Sequence, residues 1–421
     1  MDILPVVVGI VVVVLGILVS IALHEVGHMV PAKKFGVRVS EYMVGFGPTL
    51  WSRTRGETEY GIKAIPLGGY VRLVGMMPPA PAGARQRQGF FGQVIADARD
   101  ASVSEIRPGE EHRAFYHLST PKKLVVMLGG PVMNLVIAVV LLAVVFLGIG
   151  MPTVTTTVES VGDGSAAASA GVEAGDEIVS FDGVAVEDWS QLVGMVNDRA
   201  DETLPLVVER DGELVTLDVT PVPAERPLTD DEGLPVVDDA GDPVMVDGAL
   251  LGVTSAVERQ AQPVSEVPQA VWMQVSATAG AIVTLPVRIY DAAHQAFTDE
   301  PRAQDSVMSV VGVGRAAVDT AGNEDYSVLA RVQLMLMLLA SLNIALFMFN
   351  LIPLLPLDGG HVVNALYEGA RRTVARVRGA TLPGPADVAR MMPVAYVVFV
   401  LLIGVGAVLM VADVVDPVRL F

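Results

Sequence analysis

Apolar residues gather into four long runs, at positions 3–30, 124–149, 328–351 and 393–411. Each is long enough for a helix to cross the hydrocarbon core, which takes about 20 apolar residues. The first run is unlike a cleaved secretory leader. Asp2 precedes it without any Lys or Arg, and it continues into a charged motif, so it is read as a retained span. Between the first two runs, residues 41–76 read as short strands and turns, with bends at Gly45-Phe46-Gly47-Pro48 and Pro66-Leu67-Gly68-Gly69-Tyr70. Residues 78–89 form a Pro/Gly/Arg-rich connector. Between the second and third runs, residues 153–161 alternate as a strand does. Asp182-Gly183 and Asp211-Gly212 are hairpin turns, residues 189–198 have helical spacing, and 204–210 pairs with 213–219. Together they predict one small β-rich domain of roughly 70 residues. The Pro- and Asp-rich stretch 221–247 reads as loop, and 267–297 as an amphipathic helix lying along a membrane surface.

The fold class expected is therefore an α-helical multi-pass membrane protein of four spans. It carries a membrane-associated β-hairpin element and an inserted extracytoplasmic α+β domain. The expected division is 1–35, 36–120, 121–152, 153–222, 223–327, 328–360, 361–392 and 393–421, with 361–392 a cytoplasmic loop.

Composition sharpens this picture. The 421 residues are 52% hydrophobic, with mean hydropathy +0.52 and no cysteine. Disulfides and thiolate metal sites are thereby excluded, and any metal must use His, Asp or Glu. The net charge of −19 is unevenly spread: residues 33–123 hold 14 Lys/Arg against 8 Asp/Glu, and residues 150–330 hold 7 against 32. Basic and acidic loops on opposite sides of a span follow the positive-inside rule. They place 33–123 and Arg371–Arg390 in the cytoplasm and the inserted domain outside. The acidic block argues against a nucleic-acid partner; it is also the solvated surface that keeps an exposed domain soluble.

The sharpest chemical signal is His24-Glu25-Val26-Gly27-His28. On a helix His24 and His28 lie one turn apart on one face, within reach of one metal, and Glu25 is placed to deprotonate a metal-activated water. The plainer alternative is a histidine pair satisfied by hydrogen bonds in a bundle. A third ligand is sought in Asn350-Leu-Ile-Pro-Leu-Leu-Pro-Leu-Asp358-Gly-Gly-His361, where prolines end the third span. From spacing alone Asp358 reads equally as a ligand or as a helix-end turn residue.

At these residues the chain resembles the site-2 proteases, the intramembrane zinc metalloproteases, and most closely the actinobacterial relatives of the regulator-of-sigma-E protease. The resemblance covers nearly the whole chain. It implies one Zn2+ held by His24, His28 and Asp358, with Glu25 catalytic. It implies that Asn350 contacts substrate, and that the bends at Gly45, Gly47, Gly68 and Gly69 belong to an element offering an edge strand to substrate. Gly130-Pro131-x-x-Asn134 matches a recurring family motif, and Asp163 to Val219 resembles a PDZ domain. The implied partners are the lipid bilayer of the bacterial cell membrane and single-span membrane substrates, either anti-sigma factors already trimmed by a first protease or remnant signal peptides. Two other classes compete with this reading. A metal transporter leaves Glu25 and the PDZ-like domain unexplained and lacks paired repeats; an inactive scaffold would make the metal motif dispensable.

Overall fold

The computed structural model describes residues 3–80, 89–227, 244–295, 298, 306–323 and 326–415. The first part of the chain forms α1 (Ile3–Lys34), β1 (Val39–Arg55), β2 (Thr58–Leu73), α2 (Phe90–Ser104) and α3 (Thr120–Ala143), the last extended by a wider helical turn to Ile149. There follow β3 (Met151–Val161), α4 (Ala166–Ala170), β4 (Glu177–Phe181), β5 (Val184–Ala185), α5 (Trp189–Asn197), β6 (Leu204–Arg210), β7 (Glu213–Val219), β8 (Val222–Pro227), β9 (Met245–Leu250) and β10 (Val253–Gln260). The chain closes with α6 (Glu266–Gln295), α7 (Val310–Gly322), α8 (Val328–Asn350), α9 (Asp358–Val377) and α10 (Met392–Val415). Two compact units result: Met1–Gly148 with Pro263–Phe421, and Ile149–Gln262.

In the first unit small residues set the helix directions. A Cβ at Gly9 would lie 3.3 Å from Met335 Cε, one at Gly16 would lie 2.7 Å from Leu339, and Asn343 Nδ2 donates to Ser20 Oγ at 2.9 Å. α1 and α8 thus run side by side in one direction. α3 runs against α8, with Ala138 and Leu142 packed among Ala340 and Ile344. Leu15, Val19, Val136, Val140, Leu401 and Ile403 stay exposed, as residues facing lipid do. Five helices are long and apolar enough to cross a membrane. Four coincide with the expected spans; the fifth, α6, was expected along the membrane surface.

β1 and β2 pair only with each other among the described residues, but both bend. Residues 51–55 pair with 58–62, residues 41–44 lie alongside 59–62, and 41–44 pair on their other side with 69–72. The expected hairpin is therefore a small sheet of four segments, and 69–73 forms one of its edges. α2 follows the connector, most of which lies outside the described residues, and the expected loop 361–392 is helical as far as Val377, in α9. The cause in α9 is a stripe: Ala365 and Glu368 are buried, whereas Val363, Leu366, Tyr367 and Val374 are exposed.

The second unit is built on a sheet of order β10-β3-β4-β6-β7, with β5 beside β4. Its core holds Val158, Ile178, Phe181, Leu192, Leu206 and Val208. The hairpin and helix expected at 204–219 and 189–198 are present. Asp182 and Asp211 take φ of 49° and 52°, each followed by glycine at 76° and 83°, the left-handed pair that tight hairpins require. The expected boundary at 222 moves to Gln262. β8 pairs with β9, and β10 joins the sheet beside β3. Residues 228–243, the middle of the expected acidic loop, lie outside the described residues.

Candidate metal centre and active site

The helical period of α1 brings the His24 and His28 rings to a centroid distance of 4.9 Å, with their Nε2 atoms 3.2 Å apart. Asp358, the first residue of α9, places Oδ2 3.3 Å from each of those nitrogens. Donor atoms on a tetrahedral zinc, bonded at about 2.0–2.1 Å, stand roughly 3.3–3.4 Å apart. The three atoms already have that spacing. Asp358 Oδ2 is buried and has no hydrogen-bond partner. A buried carboxylate oxygen aimed at two imidazole nitrogens is costly unless a cation joins them. No other cluster of three such converging donors occurs among the described residues.

Local backbone builds this arrangement. α8 ends at Asn350, and the chain doubles back before α9 starts at Asp358. A Cβ at Gly359 would lie 2.3 Å from Ile352 O, so only glycine allows that return. On the other side α3 presses Gly130 against the rings: a Cβ there would lie 2.2 Å from His28 Nε2 and 2.7 Å from His24 Nε2. The space a side chain would take is left for the metal.

The outer nitrogens are also held. His28 Nδ1 is 2.8 Å from Val126 O, which fixes its proton there and turns the Nε2 lone pair inward. His24 Nδ1 is 3.1 Å from Asn134 Nδ2; Asn134 is buried, and its Oδ1 has no hydrogen-bond partner. Rotating that amide by half a turn lets Oδ1 accept from Nδ1–H, leaving His24 Nε2 free to ligate.

A cavity of about 300 Å³ opens over the triad, lined by Glu25, Gly69, Tyr70, Val71, Asn350 and His361 among others. Gly69 belongs to the edge segment 69–73; a Cβ there would lie 3.2 Å from Glu25 Cγ. Asn350 Nδ2 donates to Leu346 O at 3.0 Å. Of the residues expected to meet substrate, Gly69 and Asn350 therefore border the cavity. Gly45, Gly47 and Gly68 do not. Gly45 sits against the carbonyls of Lys63 and Ile65, Gly47 against the Ile65 side chain, and Gly68 against the Phe46 ring. Their positive φ values, 94°, 82° and 119°, serve the bends of the sheet. Asn134 and His361 stand within the sequence motifs, but neither has a task there. For Asn134 the only available signal was a buried amide at the level of a histidine motif, which needs the packing of α3 to be seen.

Fold and centre together define a multi-span membrane protein with a metal-ready triad beside the Glu25 carboxylate, the constitution of a membrane metalloprotease. The chain belongs to peptidase family M50, whose model matches residues 12–392. It is similar to the zinc metalloprotease Rip1 of Mycobacterium tuberculosis, 33% identical over 98% of both chains, and to Rip1 of Mycolicibacterium smegmatis, 33% identical over 98% of this chain and 99% of that one. It is also 28% identical to the metalloprotease MmpA of Caulobacter vibrioides, over 85% and 86% of the two chains. The imidazole–carboxylate donor set and the two Rip1 relatives agree on zinc as the metal.

Proposed function

We propose that this enzyme cuts single-span membrane proteins within or beside the bilayer, using His24, His28 and Asp358 as zinc ligands and Glu25 as general base. The observation that carries the reading is the buried Asp358 Oδ2 between two imidazoles, beside Glu25, among apolar helices. Bound zinc supplies Lewis acidity, which acidifies a water and polarises the scissile carbonyl. Glu25 takes the proton from the attacking water as its oxygen bonds the carbonyl carbon. It then passes that proton to the amide nitrogen as the C–N bond breaks. A helical substrate hides its carbonyls, so the cut segment must be extended. The edge 69–73 has no second strand partner among the described residues and borders Glu25, so an extended segment adding to it would pass over the triad.

Four net crossings fit best. α8 travels in the direction of α1 to bring Asp358 to His24, so α6 and α7 together make no net crossing between α3 and α8. With Lys33, Lys34 and the arginines after Asp358 on the cytoplasmic side, the inserted unit is extracytoplasmic. Its groove between α5 and residues 249–254, about 520 Å³ and lined by Trp189, Leu192, Val193 and Val196, supports a docking or gating role for this PDZ-like domain. Such an enzyme suits single-span substrates whose outer part is already short: trimmed anti-sigma factors in regulated intramembrane proteolysis.

Glu25→Gln should retain zinc and lose nearly all cleavage of a model single-span substrate, and Asp358→Ala should lose zinc. Full cleavage by Glu25→Gln would overturn the assignment. In cells of the Glu25→Gln strain, truncated anti-sigma factors should accumulate; accumulation of signal-peptide remnants alone would redirect the substrate. Reporters fused at Gly83 and Gly212 should give opposite signals.

A further inference from the structure

His361 has no task in the chemistry above, yet the fold brings it to the reacting centre. It lies one helical turn after Asp358 on α9, so both side chains leave the same face. It lines the metal cavity with Glu25 and Asn350. It also lines a second, smaller cavity of about 20 Å³ beside Lys123 and Glu368. It is not one of the three converging donors, which are His24, His28 and Asp358. It makes no hydrogen bond or ion pair with any described residue. The neighbouring amides each donate to their own helix, Asn350 to Leu346 O and Asn364 to Gly360 O. His361 is half-buried at the wall of that cavity, and both its nitrogens keep hydrogen-bonding capacity for a bound molecule.

We propose that His361 touches the substrate, donating a ring N–H to the scissile carbonyl oxygen as negative charge builds there during water attack. The proposal rests on the proteolytic reading above. No proton leaves His361 in this step; the transferred proton remains with Glu25, and the hydrogen bond strengthens as the carbonyl becomes tetrahedral. A donor aimed at developing charge in a water-poor site acts on the transition state more than on the bound substrate. Removing one such donor typically costs about 10²–10³ in kcat.

The test uses full-length enzyme in detergent or nanodiscs with a model single-span substrate. His361→Ala should keep its zinc stoichiometry, lose about 10²–10³ in kcat and keep KM. His361→Gln, which retains an N–H donor, should recover part of the loss. A readout independent of turnover is binding. In a Glu25→Gln background, substrate affinity should be unchanged by His361→Ala. In the otherwise native protein, affinity for a phosphinic peptide, whose tetrahedral oxygens mimic the attacked carbonyl, should fall in step with kcat/KM. Loss of zinc from His361→Ala would make the residue a ligand and overturn the proposal. So would a kcat within threefold of native in His361→Ala, or equal losses of substrate and phosphinate affinity. If Glu25→Gln still cleaves, the proteolytic reading itself has failed, and that outcome is separate from these. Should the alanine variant not fold, the same comparisons are made with His361→Gln and His361→Phe.

Discussion

Lys123 donates to both carboxylate oxygens of Glu368, at 3.0 and 2.8 Å, and both side chains are almost sealed from solvent. Arg372 and the backbone N–H of Ala386 complete the same carboxylate. The pair joins the start of α3, whose Gly130 lies over the histidines, to α9, whose first residue is Asp358. Removing Glu368 would leave the Lys123 ammonium as a buried charge alone, which costs about 3–5 kcal/mol, whereas Glu368 without Lys123 keeps its contact with Arg372. Glu368→Ala should therefore lower thermal stability sharply, and Lys123→Ala less. The double replacement Lys123→Met with Glu368→Leu should be milder than Glu368→Ala, because no buried charge is stranded and Arg372 is partly exposed. Thermal unfolding of the single and double variants in the same detergent checks this; a double variant as unstable as the sum of the singles would contradict it.

Gly130→Ala is expected to abolish metal binding while sparing the bundle. The added methyl would occupy the space 2.2 Å from His28 Nε2, which the metal needs, and the rings can move aside only by breaking the 2.8 Å contact of His28 with Val126 O. Metal analysis of the purified variant, beside its circular dichroism, separates the two effects. Normal zinc content would show that the rings retreat freely.

The parts of this molecule legible from its sequence are those fixed by a local period. His24 and His28 follow from the helical repeat, and the 204–219 hairpin from alternation broken by Asp211-Gly212. Asp358 was legible only as one of two readings, because its neighbours across space are set by the return of the chain between α8 and α9. The sheet of residues 39–73 was read as a hairpin because alternation cannot say that Val44 faces both Gly69 and Ile62. β10 was missed for the same reason. Its partner β3 is distant in the chain, so its ladder is non-local. Glycine and arginine residues made α9 look like a loop, and its burial against α3 overrides that local composition.

Asn134→Leu should weaken zinc binding without removing a ligand. The amide is the only described partner of His24 Nδ1, and it selects the tautomer whose Nε2 faces the metal. Loss of such a partner typically costs about 10–100-fold in metal affinity. Competition with a chelator measures the change. An affinity equal to the native protein's would mean that ring packing alone orients His24.

The second unit should lose stability in acid through one identifiable pair. Asp176 is buried, and Arg210 grips it twice, Nε to Oδ1 at 2.7 Å and Nη2 to Oδ2 at 2.7 Å, while the backbone N–H of Glu173 donates to Oδ2 at 2.9 Å. The Arg210 hydrogen bonds, chiefly, and then the Glu173 N–H hold the Asp176 carboxyl below its usual range, against the opposing effect of burial. A carboxyl whose folded value is depressed stabilises the fold fully above its unfolded value, about 3.9. That contribution fades as pH falls from there through the lower folded value, because the unfolded chain takes up the proton first. Asp176→Asn removes the charge and one acceptor at every pH. Native protein should therefore exceed the variant in stability at neutral pH, and the gap should narrow steadily below about pH 4. Urea unfolding followed at several pH values, with Trp189 of this unit as the local probe, measures that gap. A gap that stays constant into strong acid would assign the effect of the substitution to packing and not to the Asp176–Arg210 charge pair.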